Sequence, residues 1–274
     1  MSGDLEYNAE QDHGRRWPLG ALVVLCVWTA VVPGSVEASV LPATPDDPVR
    51  PEESHDTGWS LYVDNDAFTL VNRDQKYTGG AALTLSGHRA VEYPWSLDPA
   101  LASLNRLTGW SGLYGRQPAR VSHSWEIGAT AFTPEDIEVR EPIPDDVPYA
   151  SLIFVSNTRQ VVVPRDRVSY QSSFAVGVLG ADIVPALQRV MHRWMGDTVP
   201  RGWDNQISDG GEPTALYRVA RQQTHFVSDV PGSLDYELKS TVGGSAGYTT
   251  QVMTGLNWRW GPPGTSSIPI TAST

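Results

Sequence analysis

QVMTGLNWRW, residues 251–260, alternates with period two. Val252, Leu256, Trp258 and Trp260 share one face with Thr254, while Gln251, Asn257 and Arg259 oppose them. Successive strand side chains point to opposite faces, so this pattern reads as a strand with one apolar and one polar side. The same texture extends towards the N-terminus. In GGAALTLSG, residues 79–87, Ala81, Leu83 and Leu85 oppose Ala82, Thr84 and Ser86. In SHSWEIGATA, residues 122–131, His123, Trp125, Ile127, Ala129 and Ala131 oppose Ser122, Ser124, Glu126, Gly128 and Thr130. Further strands are expected over 57–64, 149–163, 169–180, 215–226 and 236–248. An apolar face backed by small polar residues fits an antiparallel barrel with a polar interior. It also fits a soluble sandwich with one solvated face. The ten Trp and ten Tyr favour the barrel, because such rings suit a membrane–water interface.

Two segments depart from this pattern. Residues 88–120 make a connection too long for a tight turn and are expected as an ordered loop. DIVPALQRVMHRWMG, residues 182–196, reads as a helix with Asp182 as N-cap, Pro185 in the first turn and Gly196 as C-cap. Ile183, Leu187, Val190 and Trp194 form an apolar stripe at helical spacing, and Gln188 and His192 lie four apart on one face. Such a helix between barrel strands is expected on an external loop over the barrel mouth.

The 274 residues suffice for one large domain. A net charge of −11 argues against nucleic acid as a partner. Arg15 and Arg16 precede the apolar run LGALVVLCVWTAVV, and Val36 and Ala38 are small residues suited to cleavage before Ser39. Residues 1–38 therefore read as a signal peptide. Cys26, the single cysteine, lies inside it, so the exported chain would carry neither disulfide nor thiol nucleophile. Residues 39–56, Pro-rich and acidic, read as a flexible N-terminus, and 57–274 as the β domain.

YVDNDAFTLVNRDQKYTGG, residues 62–80, gathers Asp64, Asn65, Asp66 and Asp74. Phe68 stands at the third ligand position and no Gly follows, so it is not an EF-hand. A solvated turn and a different hard-cation site both remain open. His192 can take a proton from water near neutral pH. No serine elbow, HExxH or paired-His zinc spacing accompanies it.

Four blocks, in order, resemble the outer-membrane lipid A 3′-O-deacylase family. They are DNDAFTLVNRDQKYTGG (64–80), FTPEDIEVREPIPDDVPYASLIF (132–154), GVLGADIVPALQRVMHRWMGDTVPRGWDNQ (177–206) and TGLNWRWGPPG (254–264). The resemblance implies an all-β transmembrane antiparallel barrel of roughly twelve strands. About eight are legible here, so the domain reads as C-terminally incomplete. It further implies a Ca2+-dependent ester hydrolase of the Gram-negative outer membrane, a monomer acting on lipid A in lipopolysaccharide. In that reading His192 activates water. Asn65 and Asp66 form the calcium and oxyanion side, and Thr78 lines the site. Gln188, Trp203 and Gln206 hold the helix and its loop in place. Asp197 is the nearest acid after His192, where the family carries one, and would join Asn65 and Asp66 at the metal. Val147 and Ser151 stand where the family carries Arg and Gly; that block reads as a barrel-stabilising turn. Other readings are a different outer-membrane esterase or phospholipase, and a non-catalytic truncated barrel.

Overall fold

A computed structural model describes residues 53–56, 58–65, 79–114, 120–163, 166–196, 198–208, 210–228 and 235–261. Eight strands follow one another: β1 Gly58–Asn65, β2 Gly79–Ser86, β3 Arg120–Phe132, β4 Ala150–Val163, β5 Val168–Leu179, β6 Glu212–Ser228, β7 Asp235–Gly247 and β8 Gln251–Gly261. Every strand pairs antiparallel with the next, giving one sheet in the order β1 to β8. All eight expected strands are present. Among the described residues no helix is long and apolar enough to cross a membrane.

Register propagates the alternation across the whole sheet. Leu61 lies opposite Leu83, Leu83 opposite Ile127, and Ile127 opposite Val155. At the far edge Val242 lies opposite Thr254, and Ser240 opposite Leu256. The face so defined leaves large apolar side chains uncovered: Leu61, Val63, Val178, Val252 and Trp258 are exposed, Leu256 to 77%. A sandwich would cover this face with a second sheet, but the described strands form only one. The opposite face carries polar cross-strand pairs. Thr84 Oγ1 donates to Glu126 Oε2 at 2.7 Å and Gln222 Nε2 to Thr241 Oγ1 at 3.2 Å, and along β7 itself Lys239 meets Glu237 at 2.8 Å. Strands β3 and β4, with 13 and 14 residues, reach about 40 Å at the usual rise and would cross a ~30 Å hydrocarbon layer when tilted.

The connection from β2 to β3 is more than an ordered loop. It holds a single helical turn, α1 (Arg89–Glu92), a longer helix, α2 (Asp98–Leu107), and a 3-10 turn at Trp110–Gly112. These pack on the apolar face, where that face becomes polar. Asn157 Oδ1 accepts from Leu97 N at 2.7 Å, and its Nδ2 donates to the Ala90 carbonyl at 3.2 Å. Arg159 meets buried Asp98 at 3.1 Å, and Asn105 Nδ2 donates to Ser172 Oγ at 2.8 Å. Tyr217 Oη donates to Asn105 Oδ1 at 2.8 Å. The insertion therefore supplies Asn157, Arg159, Ser172 and Tyr217 with partners, which hydrocarbon could not do.

Part of the tail expected to be flexible is held. Glu53 accepts from the His123 backbone and from its Nδ1, both at 2.6 Å. His88 N donates to Ser54 O, and Arg89 N to His55 O. Residues 1–52, with the signal-peptide reading, lie outside the described residues.

Candidate functional site

The strands end alternately at two rims. One rim receives the ends of β1, β3 and β5 and the starts of β2, β4 and β6. The connections 66–78, 133–149 and 180–211, which contain three of the four sequence blocks, therefore leave from the same rim. The third connection carries α3 (Ile183–Met195) and a 3-10 turn at Gly202–Asn205.

Helix α3 begins after Asp182 and stops at Gly196, whose φ of 73° is left-handed and suits glycine at a helix end. The expected Asp182 side-chain cap bond does not form. One edge of α3 packs inwards: Val184 meets a buried cluster of Ala131, Tyr149 and Trp203. Ala131 belongs to the apolar face of the wall. The helix therefore packs at this rim beside β3 and β4, on the connection where it was expected.

A chain of side chains ties the loops together. Trp203 Nε1 donates to Gln188 Oε1 at 2.7 Å. The Trp203 and Tyr149 rings lie 4.9 Å apart at 58°. Tyr149 Oη donates to Ile137 O at 3.1 Å, and burial pushes the phenol's pKa above its usual 10, so it stays a neutral donor. Gly202 allows the close approach: a Cβ there would sit 2.4 Å from Tyr149 Cε2. Gln206 is buried, accepting from Ser151 Oγ at 3.0 Å and donating to Gly180 O at 3.2 Å. The second sequence block, read as a turn that stabilises the barrel, thus also buttresses α3. Ser151 gives its hydroxyl to Gln206.

The geometry fixes two orientations at the helix. An indole N–H can only donate, so the Gln188 amide must present Oε1 to Trp203. Its Nε2 is then a buried donor with no partner among the described residues. A carbonyl can only accept, and His192 Nδ1 lies 2.5 Å from Thr198 O. The proton therefore sits on Nδ1, and Nε2 is the basic nitrogen of the neutral ring. Sequence reasoning missed Thr198, because its contribution is a backbone oxygen that leaves no side-chain signal.

Of the other expected site residues, Asn65 closes the described part of β1 opposite Gly79 at the same rim. Asp66, Thr78 and Asp197 lie outside the described residues. Gln188 and Trp203 are brought into contact, while His192 bonds Thr198 on the loop after α3 and Gln206 bonds Ser151 and Gly180 at the base of the connection.

A second cluster of metal-type ligands, Glu53, His88 and His123, lies at the opposite rim. Arg159 Nε donates to His123 Nε2 at 3.1 Å, which places that ring's proton on Nδ1 beside Glu53. A cation on Nδ1 would force a proton onto Nε2, facing the arginine donor. The cluster therefore reads as an ionic hydrogen-bond chain running Glu53–His123–Arg159–Asp98.

The family model described as outer membrane protein LpxR matches residues 22–268. Among solved structures the chain is similar to LpxR from Salmonella typhimurium, with 15% identity and a TM-score of 0.51. That match covers 69% of this chain and 58% of the other, so the chain spans less than two thirds of that protein's length. At such identity the likeness is one of fold, that of an antiparallel β-barrel wall; the outer-membrane assignment comes from the family model. No curated protein matches by sequence.

Proposed function

Because the chain belongs to the family of outer membrane protein LpxR, we propose that it is a lipid A 3′-O-deacylase, hydrolysing the ester of the 3′-linked acyloxyacyl group. The single observation that carries the reading is the His192–Thr198 bond of 2.5 Å. With Nδ1 fixed to a carbonyl, Nε2 can take the proton of a water as that water attacks the ester carbonyl. The same bond strengthens as the ring becomes cationic. His192 can then return the proton to the departing alkoxide.

Gln188 has a second task in this scheme. Its Nε2 hydrogens are buried, oriented by Trp203 and without a partner among the described residues. They suit the ester carbonyl oxygen as it gains negative charge. The donors expected for a cation, Asn65, Asp66 and Asp197, offer an amide oxygen and two carboxylates, a set that fits hard Ca2+. A calcium ion held there would stabilise the same developing oxyanion as a Lewis acid. Thr78 would line this side of the site.

Mass spectrometry of lipid A from cells expressing the chain, beside a His192→Ala control, tests the proposal. Loss of the 3′ acyloxyacyl mass only with His192 intact is the expected result. Unchanged lipid A with both chains, while a phospholipid loses an acyl chain only with His192 intact, would transfer the chemistry to another lipid ester. An identical lipid profile with both chains would sink the enzyme reading.

A further inference from the structure

Helix α3 shows three edges. Val184, Gln188 and His192, four residues apart, form the edge that meets the wall and its loops. Ile183, Leu187, Val190, Met191 and Trp194 form a second edge. All are exposed, Leu187 to 60% and Trp194 to 88%. At about 100° per residue this edge is centred roughly a third of a turn from the first. Arg189 and Arg193 lie on the third side, and Arg193 is exposed. A water-facing helix has no physical reason to present five large apolar side chains on one edge.

The apolar edge continues an apolar surface already present. Helix α3 follows β5 after three residues, and its Val184 packs against a cluster that includes Ala131, a residue on the same face of the sheet as Leu83 and Ile127. Val176 and Val178, near the end of β5, are exposed on that same face, as is Val63 near the end of β1. The membership of an outer-membrane family makes that face the lipid-contacting one.

We propose that α3 is an interfacial membrane helix: the Ile183–Leu187–Val190–Met191–Trp194 edge sits in bilayer hydrocarbon beside the barrel wall, with Arg189 and Arg193 raised to the anionic head groups. An apolar edge and a basic edge a third of a turn apart are what a helix lying in the plane of a membrane surface requires. Where the deacylase reading holds, His192 stands on the edge of this same helix that bonds the following loop, about a third of a turn from the apolar edge.

The test uses the full chain with Cys26→Ser, which leaves no other cysteine, reconstituted in phosphatidylcholine–phosphatidylglycerol vesicles. Single variants Leu187→Cys, Val190→Cys, Arg193→Cys and Leu256→Cys carry an environment-sensitive fluorophore. Leu256 reports the wall. Quenching by lipids spin-labelled on the acyl chain should be at least about twofold greater at positions 187, 190 and 256 than at 193. Aqueous iodide should show the reverse order. Water-like signals at 187 and 190, with a lipid-like signal at 256, would overturn the proposal with the wall intact. A water-like signal at 256 would overturn it together with the lipid-facing assignment of the wall. None of these readouts needs catalysis, so the helix assignment and the deacylase reading fail independently.

Discussion

At the scale of single residues, the site depends on donors that can face only one way. Replacing Trp203 with Phe keeps the stacking on Tyr149 but removes the N–H that holds Gln188 Oε1. The amide can then rotate, so kcat for ester hydrolysis should fall about tenfold or more while KM changes little. Equal losses in Trp203→Phe and Gln188→Glu, both confined to KM, would point to substrate binding alone. Ser151→Gly should cost about 1–2 kcal/mol in heat or denaturant unfolding, because buried Gln206 Oε1 loses its donor. At the opposite rim, His55 has its pKa raised above 6.5, chiefly by its bond to Glu92. The contact's stabilisation is complete below about pH 6.5 and is lost as pH rises through the raised value. An NMR titration should show the raised midpoint in the wild type and a fall towards 6.5 in Glu92→Gln. Little of this was legible beforehand. The family resemblance marked Gln188, Trp203 and Gln206 as supports, but their pairing depends on connections 133–149 and 180–211 meeting, and Thr198 acts through backbone.

Among the elements, α3 is held at its ends and along one edge. Gly196→Ala should destabilise it by about 1 kcal/mol, since alanine strains at a φ of 73°. Gly202→Ala should cost more, about 1–3 kcal/mol, because the added methyl meets the Tyr149 ring at 2.4 Å. Denaturant unfolding in detergent should rank Gly202→Ala below Gly196→Ala. The strands and α3 could be read from sequence because each keeps a single period, two or 3.6, over its length. Helix α2 could not. Its covered side mixes Leu101, fully buried, with Asp98 and Asn105, which serve polar wall residues. Polar groups on the covered side erase the apolar periodicity that reveals a helix. The stripe on α3 was visible as spacing, but which way it faced was not, because lipid reverses the usual rule that apolar residues turn inwards.

For the whole molecule, the sheet separates an uncovered apolar face from a hydrogen-bonded polar one. The chain should fractionate with the outer membrane and require detergent for extraction. Recovery from the periplasm as a soluble protein would contradict the lipid-facing reading of Leu256 and Trp258. The alternation in residues 251–260 allowed a sandwich or a barrel, and the arrangement of strands decided between them: the described strands form a single meander. The Tyr149–Trp203–Gln188 chain has a consequence for how such proteins diverge. Connections 133–149 and 180–211 leave different hairpins, yet one indole belongs to both neighbourhoods. They should therefore be inherited as a unit. A graft of either alone onto another barrel should fail, whereas the two together should carry their geometry with them.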